Sequence, residues 1–369
     1  MVSSTGSAPG RLDLLGGVAD YSGALVLEMP TRVKTTVVAE PNDELVVGPV
    51  TLPVDVLKQL ATAPYAEIRA ALAEFPKWTH YVIGVALVLI RHEVIDPPRA
   101  ALVVSSDVPQ SVGVSSSAAL EVASARALCT NGIEPLRLAA LCQEAENHVV
   151  GAPCGIMDQV TVAVGKPEEV VPILCRPASV RSTVPLPPAV EVVGWPTGAQ
   201  HDVSGTPYGR ARTAAFMGKR IVEGAAGRTW AWVSELPLEA MGELPEVLDG
   251  AAFLDRWGAT DDAVTTVDPR ESYPVRAATR FGVEEHRRTT AALEHLQRGD
   301  VEALGSLLAA SHLGYDAMGL GHPAATAVVD EASRRPAVYG ARSSGGGSGG
   351  TVVVVCERGA LDDVEELIR

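Results

Sequence analysis

The sequence predicts a two-lobed α+β protein, and three observations carry that expectation. With 369 residues, 47% of them hydrophobic and 20% charged, the chain can bury a sizeable core but is too long for one compact lobe. Short apolar β-rich runs alternate with stretches of good helix formers, in the order strand, loop, helix. The segment Arg176 to Val192 holds four prolines among few large apolar residues, which suits a crossing between lobes. The expected division is therefore 1–180 for the N-terminal lobe and 181–369 for the C-terminal lobe.

Taken in order, residues 24–40 alternate apolar runs with turn formers and Ala101–Val104 is a short β-rich run, so both read as strands of a mixed sheet. Ser117–Leu128 is rich in helix formers and Gly132 is a stop. A second helix is expected from Pro135 to about Val150, with Leu138, Leu141, Cys142, Ala145 and Val149 on one face and Gly151 ending it. After a loop with Pro153 and Gly155, strand-like apolar runs are expected from Ile156 to Cys175. Further helices are expected at 209–224, 285–298 and 301–313, a strand at Thr351–Cys356 and a closing helix at Leu361–Ile368. Residues 225–275 have weak periodicity and receive no assignment, and no internal repeat is visible.

Charge and cysteine usage exclude several classes. Forty-five acidic against thirty basic residues leave a formal charge of −15, which repels polyanions, so nucleic acid is not an expected partner. The longest apolar run, Val82–Ile90, has nine residues, about half of a membrane span, and Met1–Pro9 has no signal-peptide character. The five cysteines form no CxxC pairs and are odd in number, which argues against a disulfide framework or structural zinc. A soluble cytoplasmic protein is expected, as a monomer or a homodimer.

Three motifs carry chemistry. Pro109-Gln110-Ser111-Val112-Gly113-Val114 leads into Ser115-Ser116-Ser117-Ala118-Ala119 where a strand gives way to a helix. Glycine and small hydroxyl residues let backbone approach a polyphosphate, and the helix adds N–H groups and its positive dipole end. It is not a Walker A loop, because GxxxxGK[ST] does not occur, and an ordinary serine-rich helix cap fits the same residues. Ser343–Gly350 reads compositionally as a flexible linker, yet just 19 residues follow it and they open with a strand-like run. A glycine loop between two strands instead suits close approach to a ligand or to another loop. Third, Asp158 follows the tight Cys154-Gly155 loop, twelve residues beyond Glu146. Two carboxylates converging there would hold Mg2+ and take a proton from a substrate hydroxyl; a capping Asp158 and a solvated Glu146 are the plainer alternative.

In order, these motifs resemble those of the GHMP kinases, and Ala8–Tyr21 (APGRLDLLGGVADY) resembles the galactokinase signature GRxNLIGEHTDY. The resemblance runs from about residue 8 to 356. It implies a ribosomal-protein-S5-domain-2-like N-terminal lobe and a ferredoxin-like C-terminal lobe whose glycine-rich loop closes over the phosphates. It implies ATP contacts from Pro109, Gly113, Val114, Ser115, Ser116, Ser117, Ala118, Gly345, Gly346 and Gly347. Ser117, with Ser116 adjacent, and Glu146 are the implied Mg2+ ligands, and Asp158 and Arg11 the catalytic pair. Substrate contacts fall to Arg11, Gly17, Val18, Asp20, Gly155, Asp158 and Tyr208.

Where galactokinases have a Glu-His pair that reaches the sugar, this chain has Gly17 and Val18, while Asp20 and Tyr21 remain. L-Arabinopyranose shares the ring stereochemistry of D-galactopyranose and lacks its hydroxymethyl group. A site without a C6 partner therefore fits the pentose, with a penalty of roughly 1–3 kcal/mol against galactose for the unpaired hydroxyl. Glu146–Gly155 and Ala214–Lys219 likewise resemble the L-arabinokinase branch. The implied reaction is ATP-dependent phosphorylation of an anomeric hydroxyl, with galactose, a uronic or modified sugar, or a non-catalytic sugar sensor as the alternatives.

Overall fold

The computed structural model describes residues 3–199 and 206–369, which form two compact units. The first contains the chain up to Arg11, Pro30–Gln110 and Ser115–Pro167; the second contains Leu12–Met29, Ser111–Val114 and Glu168–Arg369. Along the chain, the breaks after Arg11, Gln110 and Val114 fall within the Ala8–Tyr21 and Pro109–Ala119 motifs.

The first unit opens with β1 (Ser4–Leu15), followed by β2 (Leu25–Pro41), β3 (Leu45–Val47) and β4 (Val50–Leu52). Helices α1 (Val54–Thr62), α2 (Tyr65–Leu72) and α3 (Lys77–Arg91) precede β5 (Ala100–Ser106). Then come α4 (Ser116–Leu128), α5 (Pro135–Glu144), which continues into a π-helical turn at Ala145–Val150, and α6 (Met157–Val164). Thr35–Pro41 of β2 runs antiparallel to β5, β5 is parallel to β3, and β3 is antiparallel to β4. The apolar run at 82–90 is the buried body of α3, enclosed on all sides as an all-apolar helix must be. At Gly6 of β1 a Cβ would lie 2.0 Å from the Ala123 carbonyl, so only glycine lets this strand rest on α4.

In the second unit Leu25–Glu28 of β2 pairs with β6 (Glu169–Cys175), which also pairs with β7 (Ala178–Val180) and β8 (Val184–Pro185). After β9 (Val190–Pro196) come α7 (Thr206–Ala226), β10 (Leu248–Asp249), α8 (Gly250–Trp257) and β11 (Ser272–Tyr273). The long α9 (Val275–Gln297), α10 (Leu304–Met318) and α11 (Pro323–Ser333) lead to β12 (Val338–Ser343) and β13 (Thr351–Glu357). β13 is the centre of an antiparallel sheet between β12 and β9. One apolar core joins α7, α9 and α10 to the turn Gly17–Ser22; another joins α11 to the three-stranded sheet.

Two expectations need correction. Met157–Val164 is helical where a strand run was expected: its residues are so uniformly buried that no polar face reveals the period, and short apolar runs do not distinguish the two. Leu361–Ile368 is not a helix; Leu361 and Ile368 are both buried, Ile368 bridges to Gly194, and Glu366 adopts a left-handed φ of 63° that interrupts a helix. Residues 176–192, the expected crossing between lobes, carry β7, β8 and the start of β9. The unassigned 225–275 stretch consists of short 3-10 turns, β10, α8 and β11, pieces too brief to show a period.

Candidate active site

In the first unit the Arg11 side chain lies on β1 with its guanidinium on Asp158, Nε donating to Oδ1 at 2.7 Å. The arginine side chain is 3% exposed and the carboxylate 23%, so the pair presents its acidic member outward. Asp158 sits in the first turn of α6, whose N-cap is Ile156 and has no side-chain cap bond, so Asp158 is not a capping residue. Gly155, just before, is buried.

Beside this pair lies a buried carboxylate cluster. Glu146, in the π-helical turn, is 7% exposed and Glu121, on α4, is 0% exposed. The Gln159 amide donates to Glu146 at 2.6 Å and to Glu121 at 3.1 Å, and the Cys154 thiol reaches Glu146 at 3.5 Å. Burial and then the charge of Asp158 push Glu146 up to about 7, although hydrogen bonds from Ser117, Cys154 and Gln159 act the other way. Burial and Glu146 raise Glu121 well above the carboxylate range. Ser117 and Glu146 are thus hydrogen-bonded to one another, from α4 and from a π turn, a distortion that recurs at functional sites. A buried carboxylate whose ionised form is disfavoured gains from a hard cation, and a hydroxyl plus a carboxylate suits Mg2+, which keeps water and phosphate ligands. Tyr81, also near Glu146 and Glu121, was not legible in the sequence as part of this cluster.

The serine loop does not behave as an ordinary cap. Ser115 holds the N-cap position of α4 in a left-handed conformation, φ 57°, without a side-chain cap bond. Among the described residues its buried hydroxyl has no hydrogen-bond partner, which leaves a donor beside the first amides of α4. Ser116, Ser117 and Ala118 form the first turn of that helix, and Pro109 is half-buried upstream.

In the second unit, residues 111–114 meet the glycine-rich loop. The Thr351 hydroxyl donates to the Val112 carbonyl at 2.6 Å, and a Cβ on Gly113 would lie 3.7 Å from the Ser344 carbonyl. Val114 is buried. Gly345, Gly347, Ser348, Gly349 and Gly350 all have positive φ, and a Cβ on Gly347 would lie 2.6 Å from the Leu320 carbonyl. The loop therefore joins β12 to β13 as a shaped turn, with Gly346 its partly exposed point between buried Gly345 and Gly347.

The turn Gly17–Ser22 is buried throughout. Val18 belongs wholly to the apolar core, whereas Asp20, 4% exposed, accepts the Tyr21 amide at 2.6 Å. Tyr208 stands edge-on to Tyr21 with ring centroids 5.8 Å apart, and Arg212 lies 5.6 Å over the Tyr21 ring. Arg212 is itself clamped by Asp262 through bonds of 2.8 and 2.7 Å.

Sequence reasoning missed Asp13, Tyr315 and Arg342, all 0% exposed. Arg342 binds Asp13 at 2.8 Å, while Asp13 also accepts the amides of Gly17 and Gly345 at 3.0 and 2.9 Å. The available signal was Asp13 itself, an acid at the asparagine position of GRxNLIGEHTDY, which once buried demands a cation.

The family model for the GHMP kinases N terminal domain matches residues 80–166, and that for the GHMP kinases C terminal domain matches 292–368. L-arabinokinase of Arabidopsis thaliana is 34% identical over 94% of this chain, which spans 42% of that relative's length. Galactokinases of Chloroflexus aggregans and Homo sapiens are each 32% identical, with 96% of this chain and 84% of theirs covered. Among solved structures, galactokinase of Lactococcus lactis complexed with galactose has a TM-score of 0.78 at 20% identity, over 98% of this chain and 87% of that one. Mevalonate kinase of Methanococcus jannaschii has a TM-score of 0.59 at 14% identity, covering 99% and 96%. Matched by both family models, and 32% identical to galactokinases over 84% of their length, the chain belongs to the GHMP kinase family.

Proposed function

We propose that the protein is a sugar 1-kinase that transfers the γ-phosphoryl group of ATP to the anomeric hydroxyl of L-arabinose, giving L-arabinose 1-phosphate and ADP. The observation that carries the kinase reading is the Arg11–Asp158 pair, with its carboxylate outward, beside the Ser117–Glu146 contact. Asp158 orients the hydroxyl and accepts its proton as the new O–P bond forms and the bond from the γ-phosphorus to the bridging oxygen of ADP breaks. Arg11 fixes the orientation of that carboxylate. Bound Mg2+, held by Ser117 and Glu146, would supply positive charge to the phosphates. The serine loop, from Pro109 to Ala118, and Gly345–Gly347 would hold the nucleotide. The expected lobe division at 180/181 and a cytoplasmic location go with this reading.

For the sugar, Asp20, Gly155 and Tyr208 would meet ring hydroxyls, and Gly17 offers no side chain to a C6 hydroxyl. A galactokinase is the second reading, favoured by the 84% coverage of the galactokinase relatives against 42% of the arabinokinase. ADP release with MgATP and L-arabinose, D-galactose, D-galacturonate or D-glucuronate, with Asp158→Asn as blank, separates them. Highest kcat/KM for L-arabinose and a silent variant are expected. A galactose optimum would overturn the pentose reading, and ATP binding without turnover of any sugar would overturn catalysis.

A further inference from the structure

We propose that Tyr315 is a specificity-determining and positioning residue: its hydroxyl fills the side-chain volume of position 17 and ties the Gly16–Val18 turn to the glycine-rich loop. The proposal rests on the sugar 1-kinase reading for which ligand each segment meets, but its geometry lies within the second unit and stands on its own.

A Cβ built on Gly17 would lie 1.8 Å from the Tyr315 hydroxyl oxygen and 2.9 Å from an Arg342 nitrogen, and the residue has φ +50°. The absence of a side chain at 17 is therefore matched by a particular group in the space it would take. That hydroxyl donates to the Gly345 carbonyl at 2.6 Å and accepts the Val18 amide at 3.2 Å. Asp13 repeats the bridge with the opposite polarity, one carboxylate oxygen accepting the Gly17 amide and the other the Gly345 amide. Two side chains thus connect the same two backbone segments, and both are 0% exposed. The ring of Tyr315 is held by Phe281 edge-on at 5.5 Å and by Arg342 at 5.0 Å, so the hydroxyl has little freedom to withdraw.

Two consequences follow from this bracing. A side chain cannot be introduced at 17 without displacing Tyr315, so a change of acceptor at this turn requires both positions. Displacing Tyr315 also releases the Gly345 carbonyl, so acceptor and nucleotide affinities are coupled, and reciprocally so.

Tyr315→Phe removes the hydroxyl and keeps the ring. Expected is a rise of about tenfold in KM for both ATP and sugar, with the fold retained, from the two buried backbone groups left unpaired. A hydroxyl that merely packs would lower the melting temperature and leave both KM values in place, and that result would overturn the proposal. The second arm compares Gly17→Glu with Gly17→Glu/Tyr315→Leu. The single variant should lose turnover of every sugar, while the pair should regain it with kcat/KM shifted from L-arabinose toward D-galactose. A fully active Gly17→Glu single variant would overturn the steric argument. If the wild-type protein turns over no sugar, the sugar-kinase reading falls. Calorimetry with Mg2+ and a non-hydrolysable ATP analogue then decides the bracing alone: weaker binding by Tyr315→Phe supports it, and equal affinity overturns it.

Discussion

Asp158 and Glu146 are neighbouring carboxylates in opposite surroundings. Asp158 has a full positive partner in Arg11 and partial access to solvent, while Glu146 is buried among neutral donors and another acid. Replacing Asp158 by Asn keeps its size and removes the proton acceptor, so kcat should fall by about 10²–10⁴ with KM for ATP little changed. Single-turnover kinetics would check this, and an unaltered kcat would remove Asp158 from the chemistry. For Glu146 the folded value of about 7 lies above the ordinary 4.5. Between those values the folded protein holds a proton that the unfolded chain has released, so stability falls as pH rises from about 4.5 to about 7 and levels off above. The slope is at most about 1.4 kcal/mol per pH unit for one group. Glu121, raised in the same direction, adds to it. Urea unfolding across this range without Mg2+ should show the decline, and Glu146→Gln should flatten it; identical slopes would refute the burial argument.

The elements show what a sequence carries openly and what it conceals. The apolar face from Leu138 to Val149 and the glycine at 151 gave away a helix to residue 150, but nothing in the pattern reveals that its last turn is π-helical. The π turn carries Glu146, which meets Ser117 and Gln159. The glycine-rich loop was legible because strands flank it, whereas its bracing was not: Asp13 and Arg342 are separated by 329 positions. The 225–275 stretch was opaque because side chains on α7 hold it and its own short elements lack periodicity. Arg212 grips Asp262, and Lys219, 2% exposed, pairs with Glu223 and Asp261. Asp262→Ala removes the carboxylate that grips the buried Arg212 guanidinium through two charged hydrogen bonds and should cost about 1.5–3 kcal/mol. Because Arg212 also covers the Tyr21 ring, the same variant should raise KM for the sugar; a normal KM in a merely less stable protein would detach this clamp from the acceptor turn.

At the scale of the whole chain, an acidic protein must concentrate locally any attraction for a polyanionic nucleotide. The formal charge is −15, and part of it gathers at the buried Glu121 and Glu146 and the partly exposed Asp158. The local positive contributions are the first amides of α4, the Ser115 hydroxyl donor and Arg11, and on the proposed reading a divalent cation would offset Glu146. Nucleotide and Mg2+ should therefore stabilise the protein together far more than either does alone. At about one hundred times the dissociation constant a ligand confined to the folded state adds roughly 2.7 kcal/mol, a shift of several degrees in melting temperature. Thermal unfolding with Mg2+ alone, a non-hydrolysable ATP analogue alone, and both should show this synergy in the wild type. In Glu146→Gln the cation's share should vanish while the nucleotide's own contribution persists, because the serine-loop amides are untouched. Full synergy in that variant would mean that the cation is held elsewhere and that Glu146 is buried for structure alone.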